Sequence, residues 1–130
     1  MRNRVSACLW VLLLTMAVPA LAQQSKGATI AVAANGNSVV ATVGNQPGRS
    51  PYFLLFDAKG AFVGAANNPY KDAENAGIPA LDFLAGKGIK IVVAESFGPK
   101  IVQVMKDKGM RSLEFKGVSK NAVKKALELK

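Results

Sequence analysis

Apolar residues fall in short blocks separated by turn residues, and the period within the blocks changes about midway. Thr29-Ile30-Ala31-Val32-Ala33-Ala34 is apolar at every position after the first and runs into Asn35-Gly36-Asn37. That pattern predicts a buried strand leaving into a turn. Val39 to Val43 adds a short extended piece. Gly44-Asn45-Gln46-Pro47-Gly48-Arg49-Ser50-Pro51 is the densest loop signal in the chain. Tyr52 to Asp57 and Ala61 to Ala66 read as two further strands. Asp57-Ala58-Lys59-Gly60 joins them at hairpin length, with Gly60 suited to a left-handed position.

After Asn67-Asn68-Pro69 the period lengthens. Ile78, Leu81 and Ala85 fall on one helical face with Pro79 in the first turn, and Gly86-Lys87-Gly88 ends the helix. Ile89 to Ala94 is apolar at nearly every residue, as parallel strands covered on both faces are. Pro99 opens a second helix with Ile101, Val102 and Met105 inward and Gly109 as its cap. Ser112 to Phe115 forms a short strand. Ser119 caps a last helix whose core face is Ala122, Val123, Ala126 and Leu127. A hairpin followed by alternating helices and strands predicts an α/β fold: a mixed five-stranded sheet with three helices. The expected strand order is 3-2-1-4-5. The loops leaving the first and fourth strands then diverge at a switch point, where open α/β sheets bind ligands.

The N-terminus follows different rules. Arg2 and Arg4 precede an apolar run from Val5 to Val18, and Pro19-Ala20-Leu21-Ala22 supplies a helix breaker and an A-x-A site. This is the pattern of a cleavable export signal, residues 1–22, with cut expected after Ala22 and a single periplasmic domain from residue 23 to residue 130. The run is also long enough to serve as an uncleaved anchor, but Pro19 and the small residues around the site favour cleavage. Cys8 lies at the start of the run, not after it, so a lipoprotein signal does not fit. The chain's one cysteine and one tryptophan leave with this segment, and the chain contains no histidine. Zinc held through Cys or His, a cysteine nucleophile and a Ser-His-Asp triad are therefore excluded from the remaining domain.

Charge is unevenly spread. Residues 23–86 balance 4 basic against 4 acidic side chains, whereas residues 87–130 carry 11 basic and 4 acidic. Ten of those 11 are lysine. A basic third suits an acidic protein, an anionic lipid surface or an anionic ligand, and a solvated lysine surface that aids solubility is the simpler reading. Nucleic acid is an unsuitable partner, because arginine is scarce and no aromatic residues are interleaved for stacking.

Three segments meet at the expected switch point: the loop Asn35 to Pro51, the stretch Asn67 to Pro79, and Glu95-Ser96-Phe97-Gly98-Pro99-Lys100. The last is a strand-to-helix turn whose amides at Phe97 and Gly98 are placed to meet a ligand, since a helix N-terminus attracts anions. Arg49, Lys71 and Lys100 add formal charge. The same residues also have a purely structural reading, in which Gly98-Pro99 starts the helix and Ser96 helps to cap it.

Several of these segments together resemble the dinitrogenase iron–molybdenum cofactor-binding family. They are Ile30-Ala31-Val32-Ala33, Pro47-Gly48-Arg49-Ser50-Pro51-Tyr52-Phe53-Leu54-Leu55-Phe56-Asp57, Asn68-Pro69, Ala76-Gly77-Ile78 and Phe97-Gly98-Pro99. The similarity runs from about Ile30 to Leu127. It implies a ribonuclease-H-like fold and a role in binding, carrying or inserting metal–sulfur cofactors without catalysis. Members commonly read H-F-G-R before the second strand, where this chain has Gln46-Pro47-Gly48-Arg49. Cofactor assembly in the family is cytoplasmic, whereas this chain begins with an export pattern. With the histidine replaced, an iron–sulfur or molybdenum-containing cluster has to be held without Cys or His ligands. Carboxylates, amides, Met105 and Met110 remain, and the two methionines fit core packing better.

A two-metal nuclease on such a fold needs clustered carboxylates, one of them from the middle of the first strand. Thr29 to Ala34 contains none. The expectation is therefore a non-enzymatic binding protein that holds an anionic cluster or another compact anion. Its ligand-binding residues are Gln46, Gly48, Arg49, Lys71, Ser96, Phe97, Gly98 and Lys100. The alternative is an interaction module that docks on an acidic protein or anionic membrane through Lys106, Lys108, Lys116, Lys120, Lys124 and Lys125.

Overall fold

The computed structural model describes residues 27–129. The expected export signal over residues 1–22, and its cleavage after Ala22, lie outside the described residues. Five strands form one sheet: β1 (Ala28–Ala34), β2 (Tyr52–Asp57), β3 (Phe62–Asn67), β4 (Ile91–Ala94) and β5 (Arg111–Glu114). Their spatial order is β3-β2-β1-β4-β5, the order that the hydrophobic pattern predicts. β1 pairs antiparallel with β2 and parallel with β4, and β5 continues the parallel side.

Side chains alternate along β1 and divide the interior into two cores. Ala31 and Ala33 face α1 (Gly77–Gly86) and α2 (Pro99–Asp107), with Leu81, Leu84, Val92 and Met105. Ile30, Val32 and Ala34 face α3 (Ser119–Ala126), with Leu54, Phe56, Val93 and Val123. Leu81 and Leu84 are fully buried, and each contributes roughly 1.5–3 kcal/mol through burial. Among the described residues, the five-stranded sheet carries a core on each face.

The helices sit where the pattern places them but are rotated in detail. α1 buries Ala80, Leu81 and Leu84, whereas Ile78 and Ala85 are only half-buried. Gly77, Ala80, Leu81 and Leu84 share one helical face, and that face packs on the core, with Gly77 against Ile101 of α2. On α2, Met105 is buried and Ile101 and Val104 pack on the core beside it. Val104, at i+3 from Ile101, takes the place expected for Val102. Gly109, with φ +74°, follows that helix.

Two other expectations change. Val39 to Val43 forms two single bridges, Ala34 with Val43 and Thr42 with Val118, and no strand. Ser119 does not cap α3, because Val118 holds that position without a side-chain cap. Ser119 is buried, and its hydroxyl donates to the Ala41 carbonyl at 2.7 Å. The backbone amides of Ser119 and Lys120 donate to Ala41 and Val39. The loop after β1 thus serves as the cap of α3.

In the β2–β3 hairpin, Asp57 Oδ1 accepts the amides of Lys59 and Ala61, each at 2.9 Å, and Gly60 has φ +90°. The Ala61 amide is the main reason that the Asp57 carboxyl is held below its ordinary value of 3.8, with the Lys59 and Gly60 amides and the Lys59 ammonium adding to it against a desolvation effect. A depressed folded-state pKa stabilises the fold above the unfolded value and loses that contribution as pH falls through the folded value. Asp57→Ala is therefore expected to lower unfolding free energy at neutral pH. The difference from the wild type should shrink on acidification well below 3.8, as read from urea titrations at a series of pH values.

Candidate functional site

The loops leaving β1 and β4 are stitched together where the two strands end. Glu95 and Ser96 donate their amides to Gly44 and Asn45, each at 2.9 Å, and the Ser96 hydroxyl donates to the Asn45 carbonyl at 3.2 Å. Beside this seam lies a cleft of about 270 Å³ with walls from all three of the expected segments.

Its floor is a close approach of backbones. A Cβ on Gly48 would lie 2.5 Å from Gly77 N and 2.6 Å from Ala76 C, so only glycine lets the loop touch the start of α1. Gly77 in turn leaves room for Ile101 of α2. The segment after β3 is fixed by Asn68, which is buried. Its Nδ2 donates to the carbonyls of Gly48 and Ser50, both at 2.9 Å, and its Oδ1 accepts the Tyr70 amide. Every polar atom of this carboxamide is engaged, as burial demands. The Ser50 hydroxyl, also buried, donates to Gln46 O at 2.7 Å and tightens the loop from within.

Arg49 spans the cleft wall. Its Nη1 donates to Lys71 O at 3.0 Å and Ala73 O at 2.8 Å. Both Nη1 hydrogens are thereby used, and Nη2 and Nε have no protein acceptor among the described residues. The arginine both ties down residues 71–73 and presents three N–H groups for a further partner.

Of the residues expected at the site, Gln46, Gly48, Arg49, Ser96, Gly98 and Lys100 line the cleft. Phe97 and Lys71 do not. The Phe97 ring packs against the core on the side of α1 and α2, and the residue takes no part in the cleft wall. The Lys71 ammonium pairs with Asp72 at 3.0 Å, and it is the Lys71 carbonyl that serves Arg49. Pro47, Asn75, Ala76, Gly77, Ile78 and Ile101 complete the wall, and Asn68 holds it from behind. The Asn68-Pro69 and Ala76-Gly77-Ile78 pieces of the family resemblance were the available signals for them.

Among the described residues, Arg49 and Lys100 are the only charged side chains lining the cleft, and both are cationic. The first turns of α1 and α3 have protein acceptors for several of their amides. Among the described residues, the amides of Phe97, Gly98, Lys100 and Ile101 at the start of α2 have none. A smaller hollow of about 240 Å³ adjoins the cleft, sharing Gln46 and Arg49 and adding Asn35, Asn45 and Ser50. No group of three or more His, Cys, Asp or Glu residues able to hold a metal ion occurs among the described residues.

An open mixed sheet with a cationic, donor-rich cleft at its switch point defines a small α/β binding domain. The family model described as dinitrogenase iron-molybdenum cofactor matches residues 28–129, and the chain belongs to that family. Membership sets it among small cofactor-binding or carrier proteins. Its fold is similar to the NMR structure of a Thermotoga protein of the DUF35 family. That pair is 23% identical with a TM-score of 0.66, covering 78% of this chain and 89% of the other. It is also similar to the apo form of the orange protein from Desulfovibrio gigas, at 28% identity and a TM-score of 0.65, covering 76% and 86%. Comparison with curated protein sequences gives no match.

Asn68→Ala strands two buried carbonyls, and a loss on the order of 2 kcal/mol is expected in urea unfolding. Gly48→Ala should separate the loop from α1. It is expected to lower stability and to increase amide exchange at Arg49 and Gly77, while leaving exchange in α3 unchanged.

Proposed function

We propose that the protein is an exported, non-enzymatic carrier that holds an anionic metal–sulfur cluster, or a similar compact anion, in the cleft between the loops after β1 and β4. The observation that carries this reading is the composition of the cleft: among the described residues Arg49, Lys100 and the opening residues of α2 line it, and no carboxylate does. A helix N-terminus favours an anion by about 0.3–1 kcal/mol at an exposed site, and a guanidinium adds charge-assisted hydrogen bonds.

The donor set decides how such a cargo is held. Residues 23–130 contain neither cysteine nor histidine, so soft protein ligands to a metal are lacking. The groups present are N–H donors, which suit the sulfide or oxide atoms on the outside of an iron–sulfur or molybdenum-containing cluster. The cleft thus fits the surface of an anionic cargo. The same lack of histidine and cysteine removes the usual acid–base and nucleophilic groups and supports binding over catalysis. Export rests on the pattern of residues 1–22.

Tetrathiomolybdate is a suitable probe for the segment 23–130. One equivalent is expected to bind, with affinity falling as salt is raised, and Lys100→Gln should weaken it about fivefold, near 1 kcal/mol. Equal affinity in the wild type and an Arg49→Gln, Lys100→Gln double variant would reject the cleft as the site. For the full chain expressed in a Gram-negative host, the periplasmic fraction should contain a product that begins at Gln23. An unprocessed cytoplasmic product would remove the exported part of the reading.

A further inference from the structure

The lysines of the C-terminal third do not form one surface. α2 carries Lys106, with Lys108 at its C-cap, and packs on the core of Ala31, Ala33 and Val92. α3 packs on the opposite face of the sheet, over Ile30, Val32 and Val93. Lys108 is also paired with Asp82 on α1. What remains as a coherent basic patch is Lys116, Lys120, Lys124 and Lys125 along and just before α3, all exposed. Between Lys116 and Leu127 there is no carboxylate, and Glu128 pairs with Lys125 at 3.7 Å.

The two exposed large hydrophobic side chains among the described residues flank this same helix. Val40 is 62% exposed. It lies between Val39 and Ala41, whose carbonyls accept the Lys120 and Ser119 amides, so it stands beside the first turn of α3. Phe62 is 46% exposed and packs against Phe56 of the α3-side core, with ring centroids 5.5 Å apart. The adjoining hairpin reaches the far end of the helix, where Gly60 abuts Leu127. A lysine band thus runs between two apolar tips on one side of the molecule.

We infer that the outer face of α3, with Val40 and Phe62 at its ends, is a docking surface for anionic lipid. Charge complementarity selects the partner. Lysine is depleted in specific protein interfaces, whose binding energy concentrates in a central cluster of aromatic and arginine anchors. Here the centre is lysine and the apolar groups lie at the two ends. Diffuse lysine charge is attracted to anionic headgroups over about a Debye length, and small apolar tips can enter the boundary beneath. The surface is separate from the cleft walls, so it would hold a carrier at a membrane without occupying its binding site.

The test is co-sedimentation of the segment 23–130 with vesicles of phosphatidylglycerol and phosphatidylethanolamine, compared with phosphatidylcholine alone. Binding is expected to the anionic vesicles and to fade with salt. A Lys116→Gln, Lys120→Gln, Lys124→Gln variant should lose about a hundredfold, at roughly fivefold per lysine. Val40→Asp with Phe62→Ser should lose severalfold, while Lys106→Gln with Lys108→Gln stays close to the wild type. Thermal unfolding followed by circular dichroism verifies that each variant is folded. Three results would each overturn the inference: no preference for anionic vesicles, equal losses from the α2 and α3 variants, or tighter binding to polyglutamate than to vesicles with no effect of the Val40 and Phe62 changes. The last result would point to an acidic protein. None of these outcomes depends on whether tetrathiomolybdate binds.

Discussion

The carboxamide of Asn68 is the interaction on which the cleft depends. One buried side chain satisfies the carbonyls of Gly48 and Ser50 on the loop after β1 and the Tyr70 amide on the segment after β3. Two irregular stretches, which share no strand ladder at that point, are thereby held at hydrogen-bond distance. Gly48 can then rest against the first residues of α1, and Gly77 against α2. Remove the carboxamide and buried carbonyls lose their partners, a loss larger than the net worth of an ordinary surface hydrogen bond. The charged groups of the site are secondary to this frame. Arg49 can present its free N–H groups only because its other nitrogen is anchored on a segment that Asn68 has already positioned.

The fold was legible because it follows from periodicity. The continuous apolar run of β1, the hairpin at Asp57 to Gly60 and the strand–helix alternation after residue 77 each carry a local signal, and together they leave one strand order. Rotation of the helices was not legible. Ile78, Leu81 and Ala85 form an acceptable stripe on paper, whereas packing against residues distant in sequence, Ile101 among them, buries Ala80, Leu81 and Leu84 instead. Ser119 illustrates the same limit. A serine at a helix start suggests a cap, but its hydroxyl serves a carbonyl 78 positions away.

At the cleft, residues recognised by chain chemistry, such as Arg49, Gly98 and Lys100, do meet. Lys71 and Phe97 were chosen for proximity in sequence to that chemistry, and the structure spends their side chains elsewhere: one on Asp72, the other on the core. Nothing in a lysine's identity says which way its side chain leaves the backbone. The basic third shows the point on a larger scale, since alternate packing of α2 and α3 on opposite sheet faces divides lysines that composition alone groups together.

Gln46 stands where the family resemblance leads one to expect histidine, and its position shows why the scaffold accepts the glutamine. The fold uses only its backbone carbonyl, which accepts the Arg49 amide and the Ser50 hydroxyl, while the residue itself is exposed. The scaffold is therefore indifferent to the side chain at the very position that faces the cleft. Architecture and cleft chemistry are thereby separable: a substitution at residue 46 changes what the cleft presents, while Gly48, Gly77 and Asn68 go on holding its walls together.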